Sequence, residues 1–190
     1  EKYGAYALRL YVMFVAPPEK EIEWTDAGLE GSFRFLARVW RLVDQLTAAF
    51  AGKEIPAVGD LVLDDGERAL RRKTHETIRR VTLDLDPRVH LNTAVSSQME
   101  LVNELYAFCN RIGIVRVGRD SDESQAAGSN EATATRAVLR PATSAVLKEA
   151  VEALVLMLSP FAPHMCEELW EHLGHSGGVV TAGWPAFDEA

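Results

Sequence analysis

Apolar side chains recur at intervals of three and four along almost the whole chain, and nowhere do they alternate in twos over any length. That period predicts helices and no sheet. Tyr3, Ala7, Leu10, Tyr11 and Phe14 make a first stripe, ended by Pro17 and Pro18. Glu19 to Trp24 mixes charged and apolar residues as a short connector does. Thr25 or Asp26 can then cap a long helix to about Phe50, with Leu29, Phe33, Leu36, Trp40, Val43, Thr47 and Phe50 as its stripe. At 1.5 Å per residue it measures about 38 Å. Gly52, Pro56, Gly59 and Gly66 mark residues 51–66 as a loop that touches down through Ile55, Leu61 and Leu63.

From Glu67 the helical period returns through Leu70, Thr74, Ile78, Val81 and Leu85, until Asp86-Pro87 breaks it. A third long helix turns Leu91, Val95, Met99, Val102, Leu105 and Cys109 inward, with Gly113 near its end. Asp120 to Thr135 holds no apolar residue larger than Ala, so a linker loop is expected over about 117–136. Val146, Leu147, Ala150, Val151, Leu154, Val155 and Leu158 then give a strongly apolar helix closed by Ser159-Pro160. Pro163 suits the first turn of a last helix ending at Gly174. The expected fold is all-α, an antiparallel bundle of about five helices. Its expected core contains Phe33, Trp40, Met99, Leu105, Val151, Leu154, Phe161 and Trp170.

Composition narrows the class. With 47% hydrophobic and 25% charged residues among 190, the chain has the balance of a globular protein. No run approaches the roughly 18 consecutive apolar residues of a membrane span, so no membrane partner is expected. Cys109 and Cys166 form no CxxC pair, which fits a reducing, cytoplasmic compartment. A net charge of -8 means that any polyanion must be met by a local patch, because the average field repels it. Of the 20 cations 15 are Arg, a bias that suits bidentate grip on phosphate and that a GC-rich genome also produces.

Catalytic patterns are scarce. There is no GxxxxGK[ST], GxGxxG or HExxH string. His164, Cys166, His172 and His175 crowd together, yet residues two apart on a helix face different sides, so no zinc set is expected. Glu167, Glu168 and Glu171 suit a solvated first turn, where the helix dipole favours negative charge. The basic residues are more informative. Arg34, Arg38, Arg41 and Gln45 fall at i, i+4, i+7 and i+11 on one polar ridge. Residues 66–90 add Arg68, Arg71, Arg72, Lys73, Arg79, Arg80 and Arg88 against Glu67, Glu76, Asp84 and Asp86. These residues read either as a polyanion-binding surface or as a solvated face with intrahelical ion pairs.

One string carries a family resemblance. Leu158-Ser159-Pro160-Phe161-Ala162-Pro163-His164-Met165-Cys166-Glu167-Glu168-Leu169-Trp170 resembles the Pro-Phe-x-Pro-His...Glu-Leu-Trp signature in the anticodon-binding bundle of class I aminoacyl-tRNA synthetases. Tyr3-Gly4-Ala5-Tyr6-Ala7-Leu8-Arg9-Leu10-Tyr11 is similar to the helix that follows their Lys-Met-Ser-Lys-Ser loop, with Tyr6 where the family usually has Asp. Pro17 to Trp24, Gly28-Leu29-Glu30-Gly31 and Arg34-Phe35-Leu36-Ala37-Arg38-Val39-Trp40 resemble bacterial leucyl-tRNA synthetases more than valyl or isoleucyl ones. Leu91 to Val95, Met99 to Asn103 and Trp184-Pro185 agree.

The resemblance implies a segment of a longer enzyme. Residues 1–24 would be the end of the catalytic-side linker, and 25–190 a tRNA-binding bundle. The family joins leucine to tRNA with ATP through a His-Ile-Gly-His motif and the Lys-Met-Ser-Lys-Ser loop, and neither string is present. The segment is therefore expected to have no catalytic residues, metal or cofactor of its own, ATP belonging to the parent enzyme. Its implied partners are tRNA, a catalytic domain upstream and a small C-terminal domain downstream. In leucyl enzymes the bundle would hold the tRNA body more than read its anticodon. Arg34 and Arg38 carry over as tRNA contacts, followed by Arg41, Arg72, Lys73, Arg79 and Arg80. The competing expectations are a helical protein-interaction module, or the same segment of a valyl or isoleucyl enzyme. A test between the tRNA-binding bundle and the interaction module is whether the basic residues gather on one side of the bundle.

Overall fold

A computed structural model of the chain describes residues 2–15, 24–59, 61–114 and 139–188. The elements are α1 (Gly4–Val15), α2 (Asp26–Phe50), α3 (Asp65–Leu85), α4 (Leu91–Arg111), α5 (Pro141–Leu158) and α6 (Pro163–His172), then a 3-10 turn at Val179–Thr181. Among the described residues there is no strand, and six α-helices stand where about five were expected. The 117–136 loop and most of the connector before Trp24 lie outside the described residues.

Local chemistry sets the helix starts. Thr25 caps α2, its hydroxyl accepting the Gly28 N–H at 3.3 Å. α3 opens on a capping box, in which Asp64 Oδ1 accepts from Glu67 N (2.8 Å) and Glu67 Oε2 accepts from Asp64 N (2.9 Å). It therefore begins at Asp65, ahead of the first apolar residue of the period. α5 and α6 each carry Pro in the first turn, where the missing N–H costs nothing. α6 stops at His172 rather than running to Gly174, which takes φ +95° and donates its N–H to Glu171 O.

α5 is the centre of the bundle. Val146, Leu147, Ala150, Val151, Leu154, Val155, Met157 and Leu158 are all fully buried, and the helix touches α2, α3, α4 and α6. α3 and α4 pack most extensively on each other, and Leu10 of α1 joins the same core. The loop after α2 touches down through Ile55, Leu61 and Leu63 as expected, and also through Val58.

The expected core needs two corrections. Phe33 is 43% and Trp40 41% exposed, whereas Ser32, Phe35, Leu36, Val39, Leu42, Val43 and Leu46 are the buried face of α2. α2 carries two overlapping apolar lines that share Leu36 and Val43, and the aliphatic line through Val39, Leu42 and Leu46 is the one that turns inward. Phe33 instead packs beside Tyr3, ring centroids 5.7 Å apart. Met99 is half-buried at the core's edge, while Leu105, Val151, Leu154, Phe161 and Trp170 are buried.

The Pro-Phe-Ala-Pro-His string works as a clasp on α1. Phe161 is buried, Pro160 O accepts from Arg9 at 3.1 Å, and His164 meets the Tyr6 hydroxyl through both its ring Nδ1 and its backbone N–H. Tyr6 thus ties α1 to α6 through its hydroxyl. Beyond α6, Glu167 accepts the Val179 N–H. The chain then returns over α3 as a strap, with Trp184 Nε1–H donating to Thr82 Oγ1 (2.7 Å) and Asp188 N–H to His75 Nδ1 (3.0 Å).

Candidate nucleic-acid interface

The arginine ridge of α2 is held with unequal firmness. Arg34 makes an i,i+4 pair with Glu30 at 3.4 Å, both about half exposed, which is worth little in water. Arg38 is fixed from two sides. Its guanidinium donates to Asn103 Oδ1 at 2.8 Å and lies 5.0 Å from the Tyr106 ring centroid, while the Tyr106 hydroxyl donates to Arg38 O at 2.8 Å. Arg41 is exposed one turn on. Gln45 departs from the ridge, being half-buried with its Oε1 enclosed and without a hydrogen-bond partner among the described residues.

α4 links this ridge to α3. Asn103, which holds Arg38, sits one turn from Glu100, which accepts from Lys73 Nζ at 2.8 Å. The Lys73 hydrogen bond, reinforced by the charges of Lys73 and Arg80, holds the Glu100 carboxyl below the usual glutamate range. Residues three apart on a helix share a face. The exposed strip of α4 at Glu100, Asn103 and Ala107 is thus bordered by Arg38 on the α2 side and by Lys73 and Arg80 on the α3 side.

Arg72 and Arg79 do not join that edge. They point to solvent from α3 and make no hydrogen bond or ion pair with any described residue. With Arg68 and Arg71 they line a groove of about 790 Å³ that has Asp188 on its rim. The basic residues are therefore neither gathered on one side nor scattered; they form two separate strips.

A partly buried polar cluster lies along the groove, and the sequence reading did not find it. Arg71 holds Glu149 bidentately (3.0 and 3.3 Å) and also reaches Asp188. His75, 8% exposed, has Nε2 3.3 Å from Glu149 Oε1, off the hydrogen-bonding line. Burial opposes ionisation of Glu149, but the contacts from His75 and Arg71 outweigh it and hold that carboxyl below its ordinary value. Arg71, His75, Glu149 and Asp188 come from three distant parts of the sequence, and no local spacing links them. Tyr106 also escaped notice, since one Tyr on an apolar helix reads as core.

The remaining His and Cys residues disperse. His172 Nε2 is 3.2 Å from Asp44 Oδ1, and His175 bonds Glu152 at 2.7 Å while stacking 3.8 Å from Trp170. Burial pushes the Cys109 and Cys166 thiols up to about 12. Among the described residues no group of three His, Cys, Asp or Glu side chains could hold a metal ion, and no helix is long and apolar enough to cross a membrane.

Comparison with known proteins accounts for the bundle. The family described as the anticodon-binding domain of tRNA ligase matches residues 67–190. The leucine–tRNA ligase of Marinobacter nauticus is 43% identical over 190 residues, all of this chain and 18% of that protein. That of Geotalea daltonii is 43% identical over 193 residues, covering all of this chain and 20% of the protein. The chain thus spans about a fifth of the length of the curated relatives it matches. Among solved structures, the ternary complex of Agrobacterium radiobacter K84 agnB2 LeuRS, tRNA and LeuAMS contains a chain that superposes with a TM-score of 0.75 at 27% identity. The match covers 99% of this chain and 20% of that one. This chain, whose described elements are all helical and which is similar along its whole length to leucine–tRNA ligases, belongs to the family of anticodon-binding domains of tRNA ligases.

Proposed function

We propose that the chain is the tRNA-binding bundle of a cytoplasmic leucine–tRNA ligase, and that it positions tRNA by phosphate contacts while the rest of the ligase supplies ATP binding and catalysis. The observation that carries this reading is Arg38, clasped by Asn103 and Tyr106 at the border of the α4 strip that Lys73 and Arg80 close on the other side. A guanidinium held in place has less rotamer freedom to lose when it meets a phosphate. Phosphate contacts orient a nucleic acid without reading its bases, which is what positioning requires. Arg34 and Arg41 extend the same edge. No residue of the segment takes part in adenylate formation, and no cofactor or metal is bound by it.

A photo-crosslinking side chain at the exposed Ala107, in the intact ligase that carries this segment, tests the interface. It is expected to capture leucine tRNA, with capture lost at high salt. Capture of protein in place of tRNA would support the interaction-module reading instead. The isolated chain is expected to show no leucine-dependent pyrophosphate exchange above background, and exchange by the purified segment would overturn its non-catalytic role.

A further inference from the structure

The edge described above uses only part of the positive charge of α3. Its cations divide by partner. Lys73 pairs with Glu100, whose carboxyl also feels the charge of Arg80, Arg88 lies 3.8 Å from Asp84, and Arg71 is taken by Glu149 and Asp188. Arg68 pairs with Asp65, which is exposed. Arg72 and Arg79 have no partner among the described residues. In a chain with 28 acidic against 20 basic side chains, carboxylates to neutralise them are abundant, and among the described residues none pairs with either arginine, although Glu76 and Asp188 line the same groove.

We propose that this outer face of α3 is a second phosphodiester-binding surface, formed by Arg68, Arg72 and Arg79, with the carboxylate of Asp188 acting as an internal competitor at its rim. The proposal rests on the tRNA reading above and assigns a second strip of contact to the same nucleic acid. Three lines of geometry carry it. Arg68, Arg72 and Arg79 follow one another at i, i+4 and i+11, on one side of the helix and about 16 Å from first to last at 1.5 Å per residue. That length faces several successive phosphates of a strand, which carries one charge per roughly 3.4 Å of axis. The side chains line a groove of about 790 Å³, a concave surface that a ribose-phosphate ridge can enter. An anion already sits there, because the strap brings Asp188 onto Arg71 through one charge-assisted hydrogen bond, a contact that guanidinium also donates to phosphate. Glu76 is the one acidic side chain of α3 on the lining, and it pairs with none of the three arginines.

The two strips lie on different sides of α3. Positions 73 and 80 sit about 100° around the helix from 72 and 79, so one flat contact does not use both. A nucleic acid that meets both has to bend around α3 or present two stretches of backbone. The two strips are then separable by mutation, and their effects on binding add.

The test is leucine-tRNA binding by the intact ligase as a function of salt, with leucine-dependent pyrophosphate exchange as control. Arg72→Ala with Arg79→Ala touches two exposed, unpartnered side chains and spares the core. This variant is expected to bind more weakly and to lose about 1.5 units of log–log salt slope, at roughly 0.7–0.9 per phosphate contact. The Arg72→Lys, Arg79→Lys variant should keep most of the slope. Asp188→Asn preserves the strap's backbone hydrogen bond to His75 while removing the competing charge, so tighter binding and a steeper slope are expected. If the double Ala variant keeps both affinity and slope while Arg38→Ala loses them, the second surface is overturned and the positioning role stands. If neither variant changes binding, both readings fall.

Discussion

Arg38 and Tyr106 hold each other at two points. The guanidinium lies 5.0 Å from the ring centroid, and the phenol hydroxyl donates to the carbonyl of Arg38 itself at 2.8 Å. The ring fixes both the start and the end of the arginine side chain, and Asn103 completes the clasp at 2.8 Å. An arginine held in this way is oriented before any ligand arrives, so less binding energy is spent on ordering it.

On the proposed tRNA-binding role of Arg38, Asn103 acts as a positioning residue. Asn103→Ala in the intact ligase should raise the apparent Kd and KM for tRNA by about tenfold, the lower end of the range for one hydrogen bond to a charged group. Leucine activation and Tm should stay unchanged, because Asn103 is exposed. Asn103→Gln, which keeps the acceptor, should recover part of the loss. A fall in Tm with no change in tRNA affinity would make the contact merely structural.

Gly28 is required by its neighbour rather than by its backbone. A Cβ there would collide with the Tyr11 ring, which is 1% exposed and whose hydroxyl accepts the Thr25 N–H at 2.9 Å. Gly28→Ala should therefore destabilise the chain by about 1–3 kcal/mol, the cost of overpacking, despite alanine's better helix propensity of about 1 kcal/mol. Denaturant midpoints decide the matter. A gain in stability would mean that Tyr11 moves aside freely.

The Arg71–Glu149 pair gives the stability a pH dependence of known sign. The Glu149 carboxyl is held below its ordinary value of 4.5 in the fold, so the unfolded chain takes up the proton more readily. Its contribution is complete above that ordinary value and is lost as pH falls through the lowered one. Glu149→Gln should lower stability near pH 7 by about 1–3 kcal/mol and flatten its decline as pH falls below the ordinary glutamate value of 4.5. A variant with the same acid limb as the parent would show that Glu149 does not titrate differently on folding.

The helices were legible because their signals are local. Period, capping residues and proline placement predict the bounds of α1 to α4 and α6 within about two residues, whereas α5 begins at Pro141, five residues ahead of the first apolar residue of its expected stripe. The face of α2 was not legible. Phe33 and Trp40 are as apolar as Val39 and Leu46, and only packing against the rest of the bundle decides which line turns inward. The division of the α3 cations has the same origin. Lys73 and Arg72 are adjacent in sequence, yet one reaches Glu100 of α4 and the other faces solvent. That distinction depends on where α4 lies. Asn103 drew attention within a family motif, but its link to Arg38 spans 65 residues and has no sequence signature.

The central claim is that the α2 edge positions tRNA through phosphate and takes no part in activating leucine. Its most direct test is the salt dependence of leucine-tRNA binding by the intact ligase with Arg38→Ala, measured beside leucine-dependent pyrophosphate exchange. The account predicts weaker binding, a log–log slope reduced by about one unit for one lost contact, and exchange at the parent rate. Unchanged affinity and slope would contradict it and leave the α2 arginines as a solvated helix face.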